Sequence, residues 1–394
     1  MGTKKKVAII GGGLSGLSAA IYLQKQSIGF DIYEASNKLG GRVSTELVEG
    51  FKLDKGFQVF LNSYDEALAL IDFEKLDLAK AASGAMINNG ETWAKFGNPL
   101  KKLSDAFPTL LSGIGNLKDK YLVFRLSREV SRLSQEDIQK EENLSTLDFL
   151  RKYGFSNGMI SNFFKPFFGG VFLDFELKTS SRLFLYLFKK FNEGDATLPS
   201  GGMEAIVKAM VKLLPTSSIH LNTKVDLENT GDYLSTIVAV NESALSVKKQ
   251  PTYNKTSCFY FSCDTVSFQN TSYLHLNPTG GLIRHVCFLN RIQPTYAPKG
   301  KDLLSVTVSY DEKLAAKNVE IELSILFENQ LEGLKFLKVY HIPEALSFYD
   351  GEMKGVHKNT VGQIVCGDHT LYPSINGALK SGRLAAEMAI ADLA

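Results

Sequence analysis

The most regular run of apolar positions lies near the start of the chain. Val7-Ala8-Ile9-Ile10 is unbroken, as expected of a strand buried on both faces. The pattern then predicts a helix over Leu17–Gln26 and a second parallel strand over Phe30–Tyr33. Phe51–Leu53 alternates and reads as a short strand. From about residue 64 to 200 the spacing is mostly helical, with apolar residues three and four apart over Tyr64–Ile71, Leu117–Leu133 and Ser145–Tyr153. Leu198–Met203 reads as a hinge into a helix at Glu204–Leu214, stopped by Pro215. β-Branched and aromatic residues then predict strands at Ile219–Val225, Thr236–Val240, Ser257–Ser262, Leu282–Leu289 and Leu303–Ser309, in a sheet with one covered face. Asn318–Phe336 reads as a return to helix, Val361–Cys366 as a buried strand and Ile375–Leu393 as a long closing helix. The succession is that of an α/β chain.

Glycines give the first run a chemical meaning. Gly11, Gly13 and Gly16 follow the strand at one, three and six, and Glu34 stands eighteen residues after the last of them. Gly11 permits a tight turn, Gly13 lets a pyrophosphate approach the backbone, and Gly16 lets helix and strand pack closely. Phosphates would sit on the free N–H groups at the helix start, and Glu34 could accept a ribose hydroxyl. A glycine triplet alone is also compatible with a flexible loop; the flanking strand, helix and acid make dinucleotide binding the reading here. Downstream, Gly40-Gly41 lets backbone pass close to a ligand and Arg42 supplies a cation for phosphate or flavin charge. Gly56, beside Phe57-Gln58-Val59, is a second point of close approach. Gly367-Asp368 ends the last strand, where a carboxylate suits ribityl hydroxyls or merely caps. Gly377, Ala378, Gly382, Ala385, Ala386 and Ala389 leave one face of the closing helix small, ready to pack against a sheet or a cofactor.

Composition narrows the classes. With 394 residues the chain is long enough for two or more domains, and 44% apolar with 22% charged residues is ordinary for a soluble globular protein. A formal charge of +2 excludes an electrostatically driven nucleic-acid binder, and Lys4-Lys5-Lys6 reads as a solvated terminus. No apolar run is long enough to predict a transmembrane helix. Cys258, Cys263, Cys287 and Cys366 form no CxxC pair, so they read as free thiols in a reducing compartment, with the cytosol expected and no metal. Aromatic and apolar bulk is concentrated in two parts. One holds Trp93, Phe96, Leu100, Leu103, Phe107, Leu110, Leu111 and Ile114, interrupted by Pro99 and Pro108. The other runs from Phe163 through Phe172 to Phe184, Leu185, Tyr186, Phe188 and Phe191. These residues read as core, or as the wall of a large apolar pocket thinned at Gly169-Gly170. The same region could touch a membrane surface. His341, His357 and His369 are candidate proton carriers, though a lone histidine is more often structural.

Taken together, these stretches resemble the flavin amine oxidase and carotenoid desaturase superfamily. Gly11–Gly16, Glu34 and Gly40-Gly41-Arg42 are similar to its N-terminal FAD signature, and Pro199-Ser200-Gly201-Gly202-Met203 to the return into the FAD domain. Cys366-Gly367-Asp368-His369-Thr370 with Ser374-Ile375-Asn376-Gly377-Ala378 resembles its C-terminal flavin motif. Gly56–Tyr64 is similar to the stretch found in plant-type phytoene desaturases. The resemblance implies a Rossmann-like, discontinuous FAD-binding domain from residues 1–75, 199–245 and 335–394, with an inserted α+β substrate domain from 76–198 and 246–334. Carried over, Gly11, Gly13, Leu14, Ser15 and Gly16 would hold the pyrophosphate, with Glu34 and Ala35 at the adenosine ribose. Gly41 and Arg42 would lie near the phosphates or flavin, and Gly56, Phe57, Gln58 and Val59 beside the isoalloxazine. Val225 would meet the adenine through its backbone, Gly367 and Asp368 the phosphate or ribityl oxygens, and Ser374 and Ile375 the flavin's pyrimidine side. The activity implied is dehydrogenation of a largely apolar, isoprenoid or carotenoid-like small molecule, by hydride transfer to flavin N5. An amine or protoporphyrinogen-type oxidase is the alternative, and a non-catalytic flavin-binding sensor or scaffold a further one. An NAD-dependent dehydrogenase is disfavoured by the C-terminal flavin motif. Amine oxidases often carry an aromatic residue where this chain has Ser374, with Tyr372 two positions early. That departure weighs against an amine substrate.

Overall fold

The computed structural model describes residues 6–97, 101, 103–227, 233–241 and 252–393. Lys4, Lys5, Pro99, Leu100 and the side chains of Leu103 and Phe107 lie outside the described residues. Two sheets dominate. The first has six strands in the order Ile219–His220, Phe30–Tyr33, Val7–Ile10, Ser235–Val238, Ile364–Val365 and His357–Lys358. All neighbours in it run parallel except the last pair. Val7–Ile10 is at its centre and wholly buried, which is why that run carries no polar position. The second sheet has seven strands, in the order Lys335–Ser347, Tyr253–Asp264, Lys301–Ser309, Ile283–Phe288, Leu274–Leu276, Gly84–Asn88 and Trp93–Gly97. It is antiparallel except where Leu274–Leu276 meets Gly84–Asn88.

Helix Leu14–Lys25 starts three residues before the position expected from its apolar spacing, because Gly13 itself is the N-cap. It packs against the closing helix Ile375–Ala391, whose small face meets this helix. Ser18 Oγ donates to the Leu379 carbonyl at 2.7 Å, and a Cβ on Gly382 would lie 2.1 Å from the Ser15 carbonyl oxygen. Helix and helix therefore touch backbone to backbone, which only small residues allow.

Elsewhere the chain departs from its local pattern. The region from 64 to 200 is not continuously helical, because Gly84–Asn88 and Trp93–Gly97 form a hairpin at the sheet edge. The expected helix over Tyr64–Ile71 is a single turn, Asp65–Leu68. The strand expected over Ile219–Val225 shrinks to Ile219–His220, beyond which Asn222 turns at positive φ. The helix expected to reach Phe336 ends at Leu326, and Lys335–Ser347 is instead a thirteen-residue strand. Pro343 lies within it, and this strand takes the edge of its sheet, where a missing N–H is tolerated.

Asp54 joins the region of the first sheet to the second. Its carboxylate is buried and accepts hydrogen bonds from Thr45 Oγ1 at 2.6 Å, the Met203 N–H at 2.9 Å and the Tyr296 hydroxyl at 2.8 Å. Its carbonyl takes the Tyr260 hydroxyl at 2.9 Å. Burial pushes this carboxyl up to about 6 against the pull of those donors.

Candidate functional site

Between the two sheets lies a cavity of about 1060 Å³. One wall is backbone. Gly11 adopts φ +107°, and a Cβ there would strike the Ala239 carbonyl oxygen at 2.6 Å. Gly16 has no space either, since a Cβ would lie 2.0 Å from the Gly11 carbonyl oxygen. At Gly13 the opposite holds, with nothing within 4 Å of a Cβ, so the bare backbone faces open cavity. Glu34 is anchored by accepting the Gly12 N–H at 2.8 Å and the Ser36 N–H at 2.9 Å, and it lines the same cavity. This bare backbone at a helix N-terminus, with a carboxylate at the next strand end, fits a dinucleotide's pyrophosphate and ribose.

Gly40, Gly41, Arg42, Gly56, Phe57, Gln58 and Val59 also line the cavity, as do Gly367, Asp368, Ser374 and Ile375. Arg42 pairs with Asp368 and donates to the Ala345 carbonyl at 3.0 Å. The expectation of Arg42 as a cation facing phosphate or flavin is thus qualified, because its charge is already matched by Asp368. Gln58 Nε2 donates to the Arg42 carbonyl at 3.1 Å, while its Oε1 is buried without a partner among the described residues. That acceptor, together with the Gly13 opening, is what a flavin dinucleotide would satisfy here. Ser374 Oγ accepts the Gly377 N–H at 2.9 Å and caps the closing helix.

Of the expected contact residues, Gly16, Ala35 and Val225 are not in the cavity wall. Gly16 is a packing residue, as its spacing suggested, and Val225 follows the loop in which the Thr223 N–H donates to the Glu34 carbonyl at 2.9 Å. Tyr372 is buried against Tyr186, with ring centroids 4.6 Å apart, and does not face the cavity.

The other wall is made of side chains. Phe167, Val171, Leu187, Phe191 and Leu274 supply apolar surface, whereas Phe164, Phe168 and Phe184 are fully buried core. Both readings of the phenylalanine-rich stretch hold, residue by residue. The seven-stranded sheet adds His285, Thr307, Cys258 and Tyr340, which are register partners across four strands. His341 lines the cavity and pairs through Nδ1 with Ser257 Oγ at 2.9 Å; His357 is exposed and outside it. The sequence reading missed His285 and, apart from His341, the segment from Tyr340 to Leu346. The strand holding that segment carries no alternation, because its apolar residues come in adjacent pairs, Phe336-Leu337, Val339-Tyr340 and Ala345-Leu346. Burial pushes the Cys258 thiol up to about 11, so it is a neutral wall group.

The same architecture occurs in known proteins. Residues 14–231, more than half of the chain, match the family described as flavin containing amine oxidoreductase, and the chain belongs to that family. Its cofactor is therefore a flavin, and a glycine cradle with a carboxylate at the next strand end fits the dinucleotide form, FAD. Protoporphyrinogen oxidase 2 of Arabidopsis thaliana is 24% identical over 171 residues, covering 42% of this chain and 32% of that protein. The 4,4'-diapolycopen-4-al dehydrogenase of Metabacillus indicus is 25% identical over 174 residues, covering 41% and 35%. The match thus spans about a third of the length of these two relatives. A putrescine oxidase variant redesigned for cofactor binding superposes with a TM-score of 0.73 at 18% identity, over 98% of this chain and 99% of that one. An oxidoreductase from Methanosarcina mazei gives 0.72 at 18% identity, over 97% and 100%. These structures share the fold.

Proposed function

We propose that this protein is an FAD-dependent oxidoreductase that dehydrogenates a largely apolar small molecule of isoprenoid or carotenoid type. The observation that carries the reading is the continuity of the cavity from the glycine cradle to a wall of Phe57, Val59, Phe167, Val171 and Phe191. When bound, the flavin supplies the acceptor for the hydride removed from the substrate. The protein's part is positional. Gly13 and the first turn of its helix receive the phosphates, Glu34 the ribose, and Gln58 Oε1 offers an acceptor. Arg42 and Asp368 hold each other beside the glycine loop, and the phenylalanines exclude water from the reacting face. The burial of Tyr372 and the cap made by Ser374 leave no aromatic side chain at that turn, which favours an apolar substrate over an amine. A porphyrinogen is the second reading, supported by the likeness to a protoporphyrinogen oxidase. We assign the six-stranded sheet to the cofactor domain and the seven-stranded sheet, including Lys335–Ser347, to the substrate domain.

A peripheral membrane contact belongs to the same reading. Leu117, Tyr121 and Phe124 are exposed along one face of helix Leu117–Arg132, and Leu110 and Leu111 are exposed beside them. Lys120 ties the two parts together by donating to the Leu110 carbonyl at 2.8 Å. Lys118, Arg125 and Arg128 on the same helix suit anionic headgroups. No helix among the described residues is long and apolar enough to cross a membrane. Anaerobic bleaching of the flavin, screened across polyenes, amines and porphyrinogens, tests the substrate class. Reduction by polyenes alone is the expected outcome; reduction by amines alone would overturn it.

A further inference from the structure

Several buried tyrosines of this protein have a partner for the hydroxyl. Tyr260 donates to the Asp54 carbonyl at 2.9 Å, Tyr296 to the Asp54 carboxylate at 2.8 Å and Tyr273 to Asp105 at 3.0 Å. Tyr186 accepts from Asn376 Nδ2 at 2.9 Å. Tyr64 differs. It is 6% exposed and lines the cavity, yet its hydroxyl pairs with no group among the described residues. Nor is that oxygen sealed. His285 Nε2 in the seven-stranded sheet is also unpartnered, but it is closed off by Gly170, where a Cβ would lie 2.4 Å from it. The Tyr64 oxygen has no such cover, and the small exposure of its residue is to the cavity. Burial raises its pKa above the ordinary tyrosine value, so the phenol keeps its proton and is a donor.

The ring is held in place without help from the hydroxyl. It packs edge-on to Phe60, ring centroids 5.9 Å apart. Tyr64 precedes the turn Asp65–Leu68, and Asn376 of the closing helix fixes that turn by accepting the Glu66 N–H at 3.1 Å and donating to Asp65 at 2.9 Å. On the other side, Ser63 Oγ donates to the Lys190 carbonyl at 2.8 Å. That carbonyl belongs to helix Ser181–Glu193, whose Leu187 and Phe191 stand in the apolar wall. A phenylalanine at position 64 would make the same packing contacts, so the hydroxyl has no use in the fold. An unpaired donor open to a cavity is the ordinary sign of a group completed by what the cavity holds.

We propose that Tyr64 is a specificity-determining residue whose hydroxyl donates a hydrogen bond to an oxygen of the substrate. The substrate is then a largely apolar molecule bearing a hydroxyl or carbonyl oxygen, as in a prenyl alcohol or aldehyde, and not a plain hydrocarbon. This rests on the reading of the cavity as the substrate site. A hydrocarbon analogue covers the phenol and leaves it unpaired, so the site discriminates against it.

The test uses the FAD-loaded protein and two probes, farnesol and the hydrocarbon farnesene, in detergent micelles. Dissociation constants are read from perturbation of the flavin's visible spectrum. Wild type should bind farnesol about fivefold more tightly, the value of a single neutral hydrogen bond. Tyr64→Phe should abolish that preference by weakening farnesol alone, with flavin content and denaturant unfolding as in wild type. Phe191→Ala, in the neighbouring wall, should weaken both probes. If Phe191→Ala weakens both while Tyr64→Phe keeps the preference, the inference fails and the cavity reading stands. If Phe191→Ala changes neither affinity, the cavity reading fails and takes the inference with it. Flavin loss in Tyr64→Phe would assign the hydroxyl to the cofactor and overturn the inference, as would equal binding of the two probes by wild type.

Discussion

The two walls of the cavity are built on different principles. The wall proposed for the cofactor is mostly backbone, drawn from short contiguous stretches around Gly11–Ser15, Gly40–Arg42 and Gly367–Asp368. The wall proposed for the substrate is mostly side chains, and its members His285, Thr307, Cys258 and Tyr340 meet only because four strands pair in one register. A backbone wall needs the absence of side chains at fixed spacing, so it constrains residue types tightly. A side-chain wall needs bulk and shape, which many residue combinations provide. Glycine substitutions separate the two demands most sharply. Gly16→Val has no space and should cost more than about 3 kcal/mol, giving little folded protein and no flavin. Gly13→Ala places its methyl in open cavity, so thermal unfolding of the flavin-free protein should hardly change. Its flavin content on purification, measured by absorbance, should nevertheless fall severalfold. Loss of fold in Gly13→Ala would show that this wall is structural first.

The next largest effect concerns the place where the cofactor wall does use side chains. The Asp368 side chain is only 7% exposed and is compensated by Arg42. Arg42→Ala leaves that carboxylate buried and unmatched, at an expected cost of about 3 kcal/mol in denaturant unfolding. Replacing both, Arg42→Met with Asp368→Leu, should recover much of the stability but not flavin binding. If the double variant keeps its flavin, the pair is packing alone.

Asp54 tests the junction between the walls. The folded state holds its proton more tightly than the unfolded chain does, since burial raises the carboxyl to about 6 from 3.8. Its stabilising contribution is therefore complete below about pH 4 and is lost as the pH rises to about 6, a change of about 3 kcal/mol. Asp54→Asn should flatten that part of the stability profile. An unchanged slope between pH 4 and 6 would rule out Asp54 as its source.

What was legible in the sequence follows the same division. Gly11, Gly13, Glu34, Arg42 and Asp368 could be found because each acts through local spacing or at the end of a strand. Gly16 was legible as packing for the same reason. The strand Lys335–Ser347 was not, because its apolar residues come in adjacent pairs without alternation and its Pro343 is tolerable only at a sheet edge. His285 left no local signal: its neighbours Gly170, Phe57 and Thr307 are distant in the chain, and only the fold assembles them. The Asx-capped helix Leu117–Arg132 was plain from its period, but the exposure of Leu117 and Tyr121 was not, since apolar residues at helical spacing ordinarily face a core. If that face meets lipid, Leu111→Asp with Leu117→Asp should lower binding to anionic vesicles severalfold in co-sedimentation while leaving flavin content unchanged.

The smallest expected effect lies at Ser374, where the backbone wall ends on a hydroxyl. Its oxygen accepts the Gly377 N–H at 2.9 Å, satisfying one of the free donors at the start of helix Ile375–Ala391. Ser374→Ala removes this cap and should cost about 1 kcal/mol in the flavin-free protein. The hydroxyl also has a proton to give, and capping does not use it. A ligand acceptor at the helix start would take that proton, in which case the loss with FAD bound exceeds the loss without it. Denaturant unfolding of Ser374→Ala with and without FAD therefore reports two quantities from one substitution. Equal losses would confine Ser374 to capping, and the cofactor wall would then end at Asp368. A larger loss in the flavin-bound protein, restored by Ser374→Thr, would extend that wall through the hydroxyl to the closing helix.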